Sequence, residues 1–368
     1  MNPLLSRRYN LVLHRFKSSN AHSYTVSYLI NQCRLSPESA ILASKWCQFE
    51  TSTKPDSVLT LLNSHGLSET QITRVVKRWP RILMANTQNN LLPKIEFLYS
   101  IGISRPDLAS ILSLEAKVLS SSLNNRIKPN YEFLKGVLLS DDKALRVLKR
   151  EPRTLFLDLS KNLARNLEEL TKLGVPRNCL CLLLTNCPKV VVQKHLVFNA
   201  AVDEVKKMGF DPRKMGFVWA VIALAGKRYR FSFERNLKVY ERWGWSKDDI
   251  YMAFRKHPKC LMLSEEKIQT EMDFFVNKMG LHSQSIATIP GVLLYSLEKR
   301  VKPRCSVIQF LKMKELLRKI PPLNSVLIPR EDRFLEKFVT KYEEKLPQLI
   351  SVYQGKIDPF DLTFLTAA

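Results

Sequence analysis

The chain has 368 residues, 45% of them apolar, and carries 58 Lys+Arg against 34 Asp+Glu, a formal net charge of +24. No apolar stretch reaches the roughly 18 residues needed to span a bilayer, so no membrane partner is expected. The charge excess points to a polyanion, most simply nucleic acid.

Residues 1–35 contain no Asp or Glu and carry Arg7, Arg8, Arg15, Lys17 and Arg34. Leu4, Leu5, Leu11, Val12, Leu13 and Phe16 allow an amphipathic basic helix, the composition of an organellar transit peptide. The plainer alternative is a disordered basic arm. Prominent arginine favours the mitochondrion over the chloroplast. Residues 36–62 read as an N-terminal capping pair, with helix starts at Ser36-Pro37-Glu38 and Lys54-Pro55-Asp56.

A repeat follows. The glycines Gly66, Gly102, Gly174, Gly209, Gly244 and Gly280 are separated by 36, 72, 35, 35 and 36 residues, so one copy near Leu138 lacks its glycine. The mid-unit prolines Pro80, Pro152, Pro188 and Pro258 keep the same register. The clearest copy runs from Tyr240 to Phe275. Gly244 closes one helix and Ser246 caps the next. Ile250, Ala253, Phe254 and His257 share one face, and Pro258 stops the helix. A second helix then places Ile268, Met272, Phe275 and Met279 on one side. A fixed period of this size indicates stacked two-helix units, because one pair cannot bury its apolar face alone. The second unit has Glu115-Ala116 where the proline stands elsewhere. In the fifth, Gly226-Lys227-Arg228 is expected to break the helix. The seventh reads as irregular, with Pro290 early and Pro303 late. The predicted fold is all-α, a right- or left-handed α-solenoid superhelix over 36–320. Capping helices are expected over 321–355, interrupted at Pro347, with a flexible tail over 356–368.

The seven cysteines are scattered. Cys179, Cys181 and Cys187 lack a good zinc spacing and lie among leucines, so they read as buried thiols, and neither metal nor cofactor is expected. There is no Gly-rich phosphate loop, HExxH or CxxC, and no histidine pairs in sequence with a nucleophile, so an enzyme is not expected. Trp79, Trp219, Trp243 and Trp245 could stack on bases but read better as packing residues, and His257 occupies the same slot as Trp79.

Three units share the order cation, cation, x, Pro, cation: Lys77-Arg78-Trp79-Pro80-Arg81, Lys149-Arg150-Glu151-Pro152-Arg153 and Arg255-Lys256-His257-Pro258-Lys259. Lys189 follows Pro188, and Lys227, Arg228 and Arg230 sit at the fifth break. Cations in a last helical turn stabilise the macrodipole by about 0.3–1 kcal/mol without any ligand. The cation after each proline has no such explanation. Stacking would align these positions into a basic stripe matched to a phosphate backbone.

The Gly-φ-Ser/Asp start (φ here an apolar residue), the mid-unit Pro followed by a cation and an apolar pair, and a second helix ending in Phe-Leu resemble the mitochondrial transcription termination factor (mTERF) family, plant type. Pro80-Arg81-Ile82-Leu83 with Ile95-Glu96-Phe97-Leu98 carries the pattern most fully. Pro152-Arg153-Thr154-Leu155 and Pro188-Lys189-Val190-Val191 repeat its first half, and Phe334 through Pro347, Leu349 and Tyr353 resemble the C-terminal segment. The resemblance covers roughly residues 55–355. It implies a left-handed superhelix of helix-helix-3₁₀ units holding nucleic acid in a basic groove. The expected function is binding of duplex DNA, largely through phosphates, by a monomer acting in organellar transcription termination or regulation. RNA, with a role in intron splicing, is the alternative ligand, and organellar transcription or splicing machinery the further partner. A HEAT-like protein scaffold is the competing class.

Overall fold

The computed structural model describes residues 20–360. It is all-α, a repeat solenoid of helix pairs, with no strand among the described residues. By contacts the chain divides into two units. The first comprises residues up to 165 together with 181–192, and the second residues 166–180 with 193 onward.

One repeat of the first unit shows how the sequence dictates the pattern. Ser68 caps the helix Glu69–Arg78, and Gln71 bonds back to the Ser68 amide, a reciprocal pair that satisfies two otherwise orphaned donors. Ile72, Val75 and Val76 bury its inner face. Trp79 is extended (φ −143°, ψ 75°), as a residue before proline must be, and Pro80–Met84 forms a 3₁₀ turn. The second helix opens with one wide turn, Leu91 N–H donating to Asn86 five residues back at 3.1 Å, and continues as Leu92–Ser100. The chain then reverses at Gly102, whose φ of +98° admits a side chain only with strain.

The same break recurs at Glu115 (φ −150°, ψ 77°), Glu151 (−142°, 74°), His257 (−150°, 86°) and Ile289 (−137°, 55°). At Glu115 it needs no proline. Ala116 is fully buried, and the Val118 amide closes the turn on the Glu115 carbonyl at 3.2 Å. The reversal recurs without glycine too. Arg34, Leu139 and Glu315 take φ of +54°, +50° and +55° where glycines stand elsewhere, so Leu139 fills the copy whose glycine is missing.

Several expectations need adjusting. Residues 20–31 form a helix assigned above to the basic arm. Thr25 is buried there and exchanges hydrogen bonds with the Phe49 backbone at 2.9 and 3.0 Å, so packed chain begins well before residue 36. The rest of the proposed transit segment lies outside the described residues. The fifth repeat does break at Gly226, but the helix Lys227–Arg242 follows at once, with no 3₁₀ turn between. The seventh repeat is regular: Pro290 is its mid-unit proline, displaced because the preceding helix is only Ser283–Thr288. Pro303 lies in the first turn of its second helix, Lys302–Met313, where a missing N–H costs nothing. The terminal helices are Leu323–Leu327, Glu331–Phe338 and Leu349–Tyr353. The interruption falls at Val339, eight residues before Pro347. Within the tail, the Phe360 ring packs edge-on against Phe274 at 5.6 Å, and 361–368 lie outside the described residues.

Successive repeats are also joined by buried polar side chains. Each comes from a second helix and donates to carbonyls at or just past the end of the next short helical turn. In the first unit Lys94 reaches Leu119 O (2.6 Å), and Asn130 reaches Thr154 O and Leu157 O (both 2.9 Å). In the second, Asn236 reaches Leu261 O and Leu263 O (3.1 and 2.9 Å), and Arg304 reaches Val326 O and Pro329 O (2.9 and 2.7 Å). Carbonyls at helix ends lack intrahelical donors, and these side chains satisfy them, with Arg235 and Arg300 adding second bonds to Leu263 O and Pro329 O.

Candidate nucleic-acid interface

In the first unit the second residue of each short turn, next to the buried Pro80, Ala116, Pro152 or Pro188, faces solvent. These residues are Arg81, Lys117, Arg153 and Lys189, all exposed and each 36 residues from the next. The row extends one more step back to exposed Lys45. Lys117 was not among the residues singled out from the sequence, because Ala116 hid the motif. Its spacing from Arg81 and Arg153 was the available signal.

The cations before the break are used differently. The second of each pair turns to the next repeat and caps the C-terminal carbonyl of its first helix. Arg78 bonds Leu114 O, Arg150 bonds Asn186 O at 2.7 Å, and Lys256 bonds Thr288 O at 2.8 Å. Three of the expected phosphate contacts are therefore engaged in joining repeats. Lys149 pairs with Asp107 at 2.8 Å, and this hydrogen bond holds the Asp107 carboxyl below the usual range. Arg153 pairs with buried Glu151 at 2.5 Å, which raises its guanidinium pKa. Arg230 is tied to Glu204 at 3.0 Å and Glu234 at 3.4 Å. Arg81 lies over the Trp46 ring at 5.2 Å, and Lys259, half-buried, over Trp219 at 3.8 Å. Among the described residues, Lys77, Lys117, Lys189, Lys227, Arg228 and Arg255 have no side-chain partner and are exposed.

The aromatic residues divide as well. Trp245 is buried, stacked on Tyr240 at 4.3 Å, with its indole N–H on Ser283 O at 3.0 Å. The Trp243 N–H bonds Gln269 at 3.0 Å, so both serve packing. Trp79 and His257 occupy equivalent, half-buried break positions. Burial lowers the His257 pKa, with the nearby Lys259 charge adding to it. The tryptophan most exposed to solvent is Trp46, at 59%, which the sequence reading passed over. The cysteines are all buried, and no metal-binding cluster exists among the described residues.

The mTERF family model matches residues 59–238 and 227–335. The chain belongs to the mTERF family. The mTERF match contains every break from Trp79 to Ile289 and all the site cations except Lys45. Two curated mTERF proteins of Arabidopsis thaliana are similar to it. The mitochondrial transcription termination factor MTERF15 is 26% identical over 213 residues, 49% of this chain and 48% of that protein. The chloroplastic transcription termination factor MTERF8 is 21% identical over 138 residues, 38% of this chain and 27% of that protein. The chain thus spans about half or less of the length of these mTERF relatives.

Proposed function

We propose that this mTERF protein is a non-enzymatic, organellar nucleic-acid-binding factor that grips duplex DNA by its phosphates and regulates or terminates transcription. The observation that carries this reading is the row of exposed cations Arg81, Lys117, Arg153 and Lys189, one per repeat at a constant 36-residue interval. Such a row follows the phosphates of a polyanion, so affinity should be salt-dependent and largely sequence-tolerant. In the second unit, Lys227, Arg228 and Arg230 crowd the positive end of the helix Lys227–Arg242, whose first turn has no acid. Cations there oppose the macrodipole, a cost that an anion would offset.

The names of the two similar proteins, one mitochondrial and one chloroplastic, support an organelle as the site of action. The arginine-rich N-terminal segment favours the mitochondrion. RNA is the second reading, because a phosphate row serves either backbone, and a role in splicing would follow from it. The test is anisotropy of labelled duplex DNA, duplex RNA and single strands over a salt series. The expected log–log slope on duplex DNA is about −3 to −4, from roughly 0.9 per phosphate neutralised. Absence of salt-sensitive binding to any of these probes at low ionic strength would refute the proposal, and tighter binding to RNA would move it to the second reading.

A further inference from the structure

The first unit contains a cleft of about 510 Å³ where the row of cations begins. One wall is apolar and aromatic: Trp46, Leu42 and the half-buried Trp79. The facing rim carries Lys77, Arg81 and Lys117, and no acidic residue lines the cleft. Trp46 and Leu42 are 59% and 60% exposed, and both line the cleft. The Arg81 guanidinium lies over the Trp46 ring, a cation–π contact that steadies an indole still 59% exposed. Lys77 and Lys117 are charged and without side-chain partners.

From this arrangement we infer that the cleft is a site for an unpaired nucleotide, its base stacked on Trp46 and its phosphate held by Lys77 and Lys117. The chemistry required is a flat π-face beside a phosphate anion, and the cleft supplies one partner for each. A duplex presents phosphates but keeps its bases stacked inside, so this site discriminates single-stranded ends, gaps or loops from continuous duplex. The inference rests on the nucleic-acid reading above and adds a structural preference to it. The ligand chemistry is common to DNA and RNA.

The test uses two ten-nucleotide probes of equal charge, one bearing thymine bases and one wholly abasic, each in deoxyribose and ribose form. The whole chain is expected to bind the base-bearing strand about tenfold more tightly than the abasic one, the contribution of a single stacked base. Trp46→Ala should remove that difference and leave abasic affinity unchanged, while Trp46→Phe keeps most of it. Lys117→Ala should weaken both probes equally. If both probes bind equally to the unaltered chain, or if Trp46→Ala retains the full discrimination, the inference is wrong while the phosphate reading stands. If neither probe nor duplex binds, both fall together. Unchanged far-ultraviolet circular dichroism of Trp46→Ala separates loss of the site from loss of the fold. A higher affinity for one sugar identifies the natural source of the nucleotide.

Discussion

Arg150 and Lys189 are both exposed cations beside a break, yet they should answer substitution in opposite ways. The Arg150 guanidinium donates to Asn186 O at 2.7 Å, the last residue of the next repeat's first helix, Arg177–Asn186. A hydrogen bond from a charged donor contributes roughly 1.5–3 kcal/mol when shielded, and less at an exposed site. Its charge near a helix C-terminus adds about 0.3–1 kcal/mol. Arg150→Ala should therefore cost about 1 kcal/mol, which lowers the melting temperature of a unit this size by about 2–4 °C. Its effect on nucleic-acid binding should be small. Lys189 makes no such bond. Lys189→Ala should leave the melting temperature alone, reduce the magnitude of the salt slope by about 0.9, and weaken duplex binding roughly fivefold to tenfold near 0.1 M salt. Thermal unfolding by circular dichroism and anisotropy across a salt series read the two effects separately. If Arg150→Ala flattens the salt slope as Lys189→Ala does, without changing stability, the division between joining and binding cations is wrong.

Leu139 is 70% exposed with φ +50°, so Leu139→Gly relieves backbone strain at little packing cost and should stabilise by about 0.5–1 kcal/mol in urea titration. Gly102→Ala should do the reverse, since φ is +98° and an added Cβ meets Leu145 at 3.2 Å. Asn236→Leu leaves the buried Leu261 O without its donor, while Leu263 O keeps a 3.3 Å bond from Arg235, and should cost about 1–3 kcal/mol, read as a lower denaturant midpoint. Burial raises the Glu271 carboxyl pKa against the opposing pull of Lys267. The folded state then holds that proton to higher pH than the unfolded chain does. The contribution to stability is fullest below the ordinary glutamate range and declines as pH rises through the raised value. Glu271→Gln should accordingly gain on the unaltered protein as pH rises above the ordinary glutamate range, and parallel stability–pH curves would show that Glu271 does not titrate there.

The period and helix order were legible because glycine and proline mark backbone states that other residues adopt at a cost. That signal fails where another residue accepts the cost, as Leu139 and Glu315 do at positive φ, or where burial replaces the ring, as at Ala116. Such positions are held by hydrogen bonds, which a single sequence does not display. The candidate site was half legible for a related reason. Sequence gives the charge of Arg78, Arg150 and Lys256, but their partners lie about one period away on the neighbouring repeat. Lys94, Asn130, Asn236 and Arg304 perform one task with three side-chain types, so no motif announces them. Trp46 precedes the first complete repeat and so lay outside the register that exposed the others.

Arg81, Lys117, Arg153 and Lys189 recur at a constant interval, and the first unit's helix ends are sealed by donors from the adjacent copy. Excising or duplicating one whole 36-residue block between matching positions would return each donor to a matching acceptor and shift the charges by a single step. A cut half a period out would orphan both ends. Insertions and losses in this part of the chain are thus quantised, and the length of polyanion it can follow should change only in whole increments.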